Sequence, residues 1–166
     1  DCNYKCIWEP KSNKDIKIDK LITKDDVKKR PMHNKFCVTG ETIITGSYNP
    51  EENQQDNNNL IIIHSKYLSE NYKKEFEEIW WKKPDEKTKY TEITLNNQIV
   101  KNYFCPDDNC EEVIIKEIKK AQREIYFMTF SFTNQKIAEA LIQKSNITIK
   151  GIMEKFQKGE HSMYER

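Results

Sequence analysis

The chain has 166 residues, of which 33% are charged, yet its formal net charge is only +1. Its length points to one domain, and its near-neutral balance excludes a global basic field as the means of gripping nucleic acid. No apolar run approaches the roughly 20 residues that span a bilayer, so no transmembrane segment is expected.

The predicted elements follow in chain order. Asp15-Ile16-Lys17-Ile18-Asp19 alternates as an edge strand does, and a charged surface loop follows from Lys24 to Arg30. Two strands are predicted over about residues 35–39 and 42–45, with Gly40-Glu41 as the tight turn between them. Residues 50–58 are polar without a hydrophobic period and read as a loop. Residues 59–64 form an apolar run too short for a helix, hence a buried strand. Tyr67 or Leu68, Tyr72, Phe76, Ile79 and Trp80 then recur at helical spacing, with Ser65 as the N-cap.

Residues 82–97 are charged and polar, contain Pro84, and read as a linker. Beyond it the character changes. Ile99–Phe104 is a predicted strand, and Asp108 or Asn109 caps a helix carrying Val113, Ile114, Ile118 and Ala121. Ile125–Phe132 is a strand, Thr133 caps a helix with Ile137, Leu141 and Ile142, and Ile147–Met153 is another strand. That β-α-β-α-β order implies parallel strands with helices packed on the sheet.

Five cysteines are present: Cys2, Cys6, Cys37, Cys105 and Cys110. The pairs Cys2/Cys6 and Cys105/Cys110 leave zinc ligation, a disulfide and free thiols open, although the second pair is wide for a zinc knuckle. No metal site is assigned on this pattern. Cys37 lies in a predicted strand and reads as a small buried hydrophobe.

The chemistry concentrates in Met32-His33-Asn34-Lys35-Phe36-Cys37-Val38 and in Thr45-Gly46-Ser47-Tyr48-Asn49. On an extended strand, residues two apart share a face, so His33 and Lys35 fall together. The Gly-Ser turn returns after a second apolar run, bringing an imidazole, an ammonium, a hydroxyl and a carboxamide within reach of one anion. Such a set suits a phosphate diester, with the histidine as nucleophile. His64 ends an apolar strand and reads as structural. His161, with no lysine two residues on, does not repeat the motif. Trp80-Trp81 reads as a helix end packed on the core, and Lys28-Lys29-Arg30 and Lys82-Lys83 as solvated charge that could touch a phosphate backbone.

At these residues the chain resembles the phospholipase D superfamily, whose signature is HxKxxxxD followed by GSxN. Leu60-Ile61-Ile62-Ile63 and the helix ending Phe76-Glu77-Glu78-Ile79-Trp80 extend the match. The second segment is similar to the opening of a family domain, through Phe104-Cys105-Pro106-Asp107, Ser131-Phe132-Thr133 and Ile137-Ala138-Glu139-Ala140-Leu141. The resemblance therefore implies halves in permuted order. Residues 1–83 match the C-terminal half of one repeat, 84–97 are the linker, and 98–166 match the N-terminal half of the next, ending before its motif. A fragment of a tandem two-motif protein is expected ahead of a permuted single domain. The expected fold is α/β, with a mixed, mostly parallel sheet flanked by helices, in which Ser131-Phe132-Thr133 approaches His33.

The resemblance implies metal-independent hydrolysis of a phosphodiester through a phosphohistidine, with no cofactor. His33 is then the nucleophile or general acid, Lys35 neutralises a phosphoryl oxygen, Ser47 steadies the site and Asn49 donates its amide. Ser131 and Thr133 are expected on the substrate side. Nucleic acid is the favoured substrate, lipid headgroup hydrolysis or transfer the alternative, and a degenerate phosphate-binding or interaction domain the reading from a different class. The second motif is expected from a homodimer partner or from flanking sequence. Two departures from the family pattern stand out. The motif aspartate should fall at Gly40, and the strand-turn is one residue short. The acid that orients the histidine is replaced by Asn58, with Asp56 as a substitute nearby. These departures bear on turnover more than on phosphate binding. Because the chain starts at Asp1, localisation is not legible, with the cytoplasm favoured.

Overall fold

A computed structural model describes residues 4–8, 21–25, 32–50 and 55–157. They divide into two compact units, Asp1–Phe104 and Cys105–Arg166.

The first unit opens with β1 (Tyr4–Trp8) and β2 (Leu21–Asp25), paired in parallel with Tyr4 opposite Leu21. The expected strand at Asp15–Asp19 and the basic group Lys28-Lys29-Arg30 lie outside the described residues. A three-stranded antiparallel sheet follows, in the order β3 (Phe36–Thr39), β4 (Thr42–Gly46), β5 (Leu60–His64). Gly40 makes the β3–β4 turn at φ +61, a left-handed value that glycine takes without a side-chain penalty. Its carbonyl accepts hydrogen bonds from the Ser69 hydroxyl (2.7 Å) and the Lys73 ammonium (3.0 Å) of the following helix.

That helix is α1 (Lys66–Trp81), and its amphipathic pattern follows the expected spacing. Ser65 caps it, the side-chain oxygen accepting the Leu68 N–H, while the Ser65 N–H donates to the Glu41 carbonyl at 2.8 Å. Trp80 is buried and stacks on Phe76, whereas Trp81 is exposed. The helix covers one face of the sheet, where Ile43, Leu68 and Ile93 form the core with Ile63, Tyr72, Tyr90, Leu95 and Val100 packed around them. Strand alternation leaves Cys37, Ile44 and Ile62, one row across the sheet, on the opposite face. Cys37 is exposed, which corrects its expected burial: Phe36 and Val38 are the residues of β3 that turn inward.

The stretch expected as a linker is built into this unit. β6 (Glu92–Leu95) and β7 (Gln98–Lys101) form an antiparallel hairpin, turned by Asn96 and Asn97 at φ 49 and 63. Ile93 of β6 belongs to the core. The buried Asn71 of α1 donates to the Tyr90 carbonyl (2.8 Å) and accepts the Tyr90 N–H (3.1 Å), as a neighbouring strand would. It also donates to the Asn102 side-chain oxygen at 3.0 Å. Buried Glu78 accepts the Glu86 N–H at 3.3 Å and faces Lys74 at 3.6 Å. Polar side chains of α1 thus satisfy backbone groups of the irregular stretch, which composition alone presents as solvated.

The second unit contains α2 (Cys110–Lys120), β8 (Glu124–Thr129), α3 (Gln135–Ile142) and β9 (Thr148–Met153), then a 3₁₀ turn at Lys155–Gln157. β8 and β9 pair in parallel, Glu124 opposite Thr148. Both helices supply the core beside this sheet, Ile118 from α2 and Ala140 and Leu141 from α3, against Ile125, Phe127 and Ile149. The alternate residues Tyr126, Met128 and Ile152 are exposed. Asn134, and not Thr133, caps α3: its side chain accepts the Ile137 N–H at 3.0 Å. A disulfide joins Cys105 to Cys110, the first residue of α2, with Cα atoms 5.9 Å apart.

The mixed α/β expectation holds, but the mostly parallel sheet does not. Among the described residues antiparallel pairings predominate, because the strand expected over Ile99–Phe104 is instead β7, ends at Lys101 and pairs antiparallel with β6.

Candidate active site

The antiparallel register lines up Phe36, Thr45 and Ile61 across the three-stranded sheet. The chain entering β3, the chain leaving β4 and the chain entering β5 therefore meet at one end of it. These are the segments that carry His33 and Lys35, then Ser47 and Asn49, then Asp56 and Asn58. His64 pairs with Thr42 at the opposite end, where its ring lies 3.3 Å from the Thr42 hydroxyl and 3.7 Å from Glu41.

His33 and Lys35 lie just before β3, not within it, and His33 is exposed. The segment is nonetheless tied down. The Lys35 ammonium donates to the His33 carbonyl at 3.0 Å, and the Thr45 hydroxyl donates to the Lys35 carbonyl at 3.0 Å. Burial pushes the hydroxyl of Tyr72 of α1 above its usual pKa, and the neighbouring Thr45 hydroxyl offsets part of that rise. Between His33 and Lys35, the Asn34 amide donates to Glu75 of α1 at 3.0 Å. Asn34, Thr45, Tyr72 and Glu75 were not legible as site residues. The only trace in the sequence is the i, i+3 spacing of Tyr72 and Glu75, which places them on one helix face.

Gly46 sits at φ +147, a region closed to residues with a side chain, and a Cβ there would run into the Asn59 carbonyl oxygen. That close approach lets Ser47 pair with the start of β5. The Ser47 N–H donates to the Asn59 carbonyl (3.1 Å), and the Ser47 hydroxyl accepts the Asn59 N–H (3.0 Å). The same hydroxyl donates to the Asn58 side-chain oxygen at 2.9 Å. The Asn58 amide in turn donates to the Asp56 backbone carbonyl at 3.2 Å, so Asp56 enters this network through its backbone. Asn49 is half-buried two residues beyond Ser47. Among the described residues, neither Asn58 nor Asp56 hydrogen-bonds the His33 ring.

Ser131 and Thr133 belong to the other unit, in the turn from β8 to α3, where the Ser131 carbonyl accepts the Thr129 hydroxyl at 2.9 Å. Thr133 lines an open depression there with Glu111, Asn134 and Lys136. Glu111 accepts from Asn134 (2.6 Å) and Lys136 (2.7 Å), which together hold its carboxyl below the ordinary range. Among the described residues no group of three or more His, Cys, Asp or Glu side chains is arranged to hold a metal ion. His161 lies outside the described residues. No helix among them is long and apolar enough to cross a membrane.

Residues 4–80 match the family described as cardiolipin synthase, PLD-like domain. No curated protein and no solved structure matches the chain. The matched residues contain His33, Lys35, Ser47, Asn49 and the whole three-stranded sheet that gathers them, and through this stretch the chain is similar to that phospholipase D-like family.

Proposed function

We propose that the chain is a phospholipase D-like phosphodiesterase acting through a phosphohistidine, with nucleic acid as the favoured substrate. The observation that supports this reading is the convergence of the HxK, GSxN and Asn58-Asn59 segments at one end of a sheet, with His33 exposed there. His33 attacks phosphorus, the P–O bond to the leaving alkoxide breaks, and a second histidine protonates that oxygen; water then cleaves the P–N bond and releases the phosphate. Lys35 keeps two ammonium hydrogens after its bond to the His33 carbonyl, and these neutralise a phosphoryl oxygen. Asn49 donates its amide to the same group, and Ser47 fixes the turn. In this proposal the second histidine comes from another copy of the chain or from flanking sequence, residues 1–83 and 98–166 are halves of successive repeats, and Ser131 and Thr133 approach the substrate.

A second reading, a phosphate-binding domain with weakened catalysis, is favoured by Asn58. Its amide can orient a ring but cannot stabilise imidazolium as a carboxylate does.

Hydrolysis of a chromogenic phosphodiester in excess EDTA, compared with His33→Asn, separates the two. Chelator-resistant turnover that falls at least a hundredfold in the variant supports the phosphodiesterase. Retained oligonucleotide binding without turnover supports the second reading. Parallel assays on DNA, RNA and phosphatidyl headgroups assign the substrate, and a preference for the lipid overturns the nucleic-acid assignment.

A further inference from the structure

The HxK segment has no ladder of its own, yet three of its groups are held. The Asn34 side chain is bound to Glu75, the Lys35 carbonyl to Thr45, and the His33 carbonyl to the Lys35 ammonium. The first of these restraints comes from α1: Glu75 reaches Asn34 directly. Tyr72, three residues earlier on the same helix face, meets the Phe36 ring edge-to-face at 4.9 Å. The even-numbered residues Asn34 and Phe36 are therefore both fastened to α1. In an extended chain successive side chains point to opposite sides, so fastening residue 34 toward the helix turns residues 33 and 35 away from it.

We propose that Glu75 and Tyr72 are positioning residues for the HxK pair. Glu75, acting through Asn34, sets the face on which His33 and Lys35 are presented; Tyr72, acting through the Phe36 ring, fixes where the segment joins β3, while Thr45 holds the Lys35 carbonyl. This rests on the reading of His33 and Lys35 as the reacting pair. The residue between them, which the HxK signature leaves free, is then the one that decides where both point. Positioning of this kind governs rate steeply, because small displacements of a nucleophile cost orders of magnitude. The exposed Asn34–Glu75 bond contributes little to folding, so its removal separates geometry from stability.

The test is a double-mutant cycle of Asn34→Leu and Glu75→Ala, with Glu75→Gln as the conservative variant. Each single change is expected to lower kcat at least tenfold with KM held within about twofold. The double variant should be no worse than either single one, and Glu75→Gln, which keeps an acceptor oxygen, should retain most of the rate. Thr45→Val should likewise lower kcat. Independently of turnover, the His33 ring and Lys35 amide NMR resonances should shift in Glu75→Ala while core resonances from Ile43 and Leu68 stay in place. Additive losses, or unmoved His33 and Lys35 resonances, overturn the positioning role. Shifted resonances in a protein with no turnover uphold it and place the failure in the phosphodiesterase reading.

Discussion

Gly46 illustrates how a short signature encodes a long-range constraint. Its backbone conformation and its closeness to the Asn59 carbonyl are both forbidden to a side chain, and together they seat Ser47 on the entry to β5. Gly46→Ala is therefore expected to destabilise the chain by about 2–3 kcal/mol, the cost of a strained backbone plus displaced pairing, seen as a lower urea midpoint. A midpoint within experimental scatter of the parent would mean that β5 yields without cost. The glycine was legible as part of a motif, but its reason was not, because the reason lies across the sheet at residue 59. Asn58 was legible as a departure from the family pattern. Its actual partner, the Ser47 hydroxyl, depends on register and could not be read from spacing.

At the scale of elements, α1 does more than cover the sheet. One face supplies Leu68 to the core; polar positions along the same helix hold the Gly40 turn, the HxK segment and the backbone around Tyr90. The apolar spacing of α1 and its Ser65 cap were readable, since both are local. The hairpin after it was not, because residues 82–97 look solvated until Asn71 and Glu78 are brought against them. Asn71→Ala removes the partner of two Tyr90 backbone groups and of Asn102 in a buried setting. The expected loss is about 2–4 kcal/mol, as unsatisfied buried groups cost 1–3 each. Hydrogen exchange at the Tyr90 amide should quicken correspondingly; unchanged protection there would show that the hairpin holds by its apolar contacts alone.

For the molecule as a whole, legibility differs between the two units. The β8-α3-β9 order and its parallel pairing follow from local periodicity and a short crossover, and they appear as expected. The antiparallel hairpin of β6 and β7 draws Phe104 into the first unit, beside Tyr72 with ring centroids 4.9 Å apart, which no local pattern announces. In the second unit α2 and α3 are joined by Glu111, whose carboxyl is held below its ordinary pKa by Lys136 first and Asn134 second. A carboxyl lowered on folding stabilises above its unfolded pKa, and the effect is lost as pH falls through the folded value. Acid should therefore loosen the α2–α3 pair before it loosens the first unit's core. The protection of the Ala138–Leu141 amides against exchange, taken relative to the intrinsic rate at each pH, should fall on acidification in the parent. That acid-dependent step should be reduced in Glu111→Gln; an identical pH profile in the variant would exclude the carboxyl as its source.

The Gly40 turn bears on what the absent motif aspartate means. Gly40 and Lys35 stand at opposite ends of β3, roughly 15 Å apart at the usual strand rise. A side chain at residue 40 would find nothing within 4 Å, while the backbone carbonyl there already anchors Ser69 and Lys73. The position belongs to the joinery between hairpin and helix, and a carbonyl has taken over the fastening. Drift at this turn and drift at the histidine are thus separable events: a chain can shed the third letter of its signature by shortening a loop while the end of the sheet that gathers His33, Lys35 and Ser47 remains as it was.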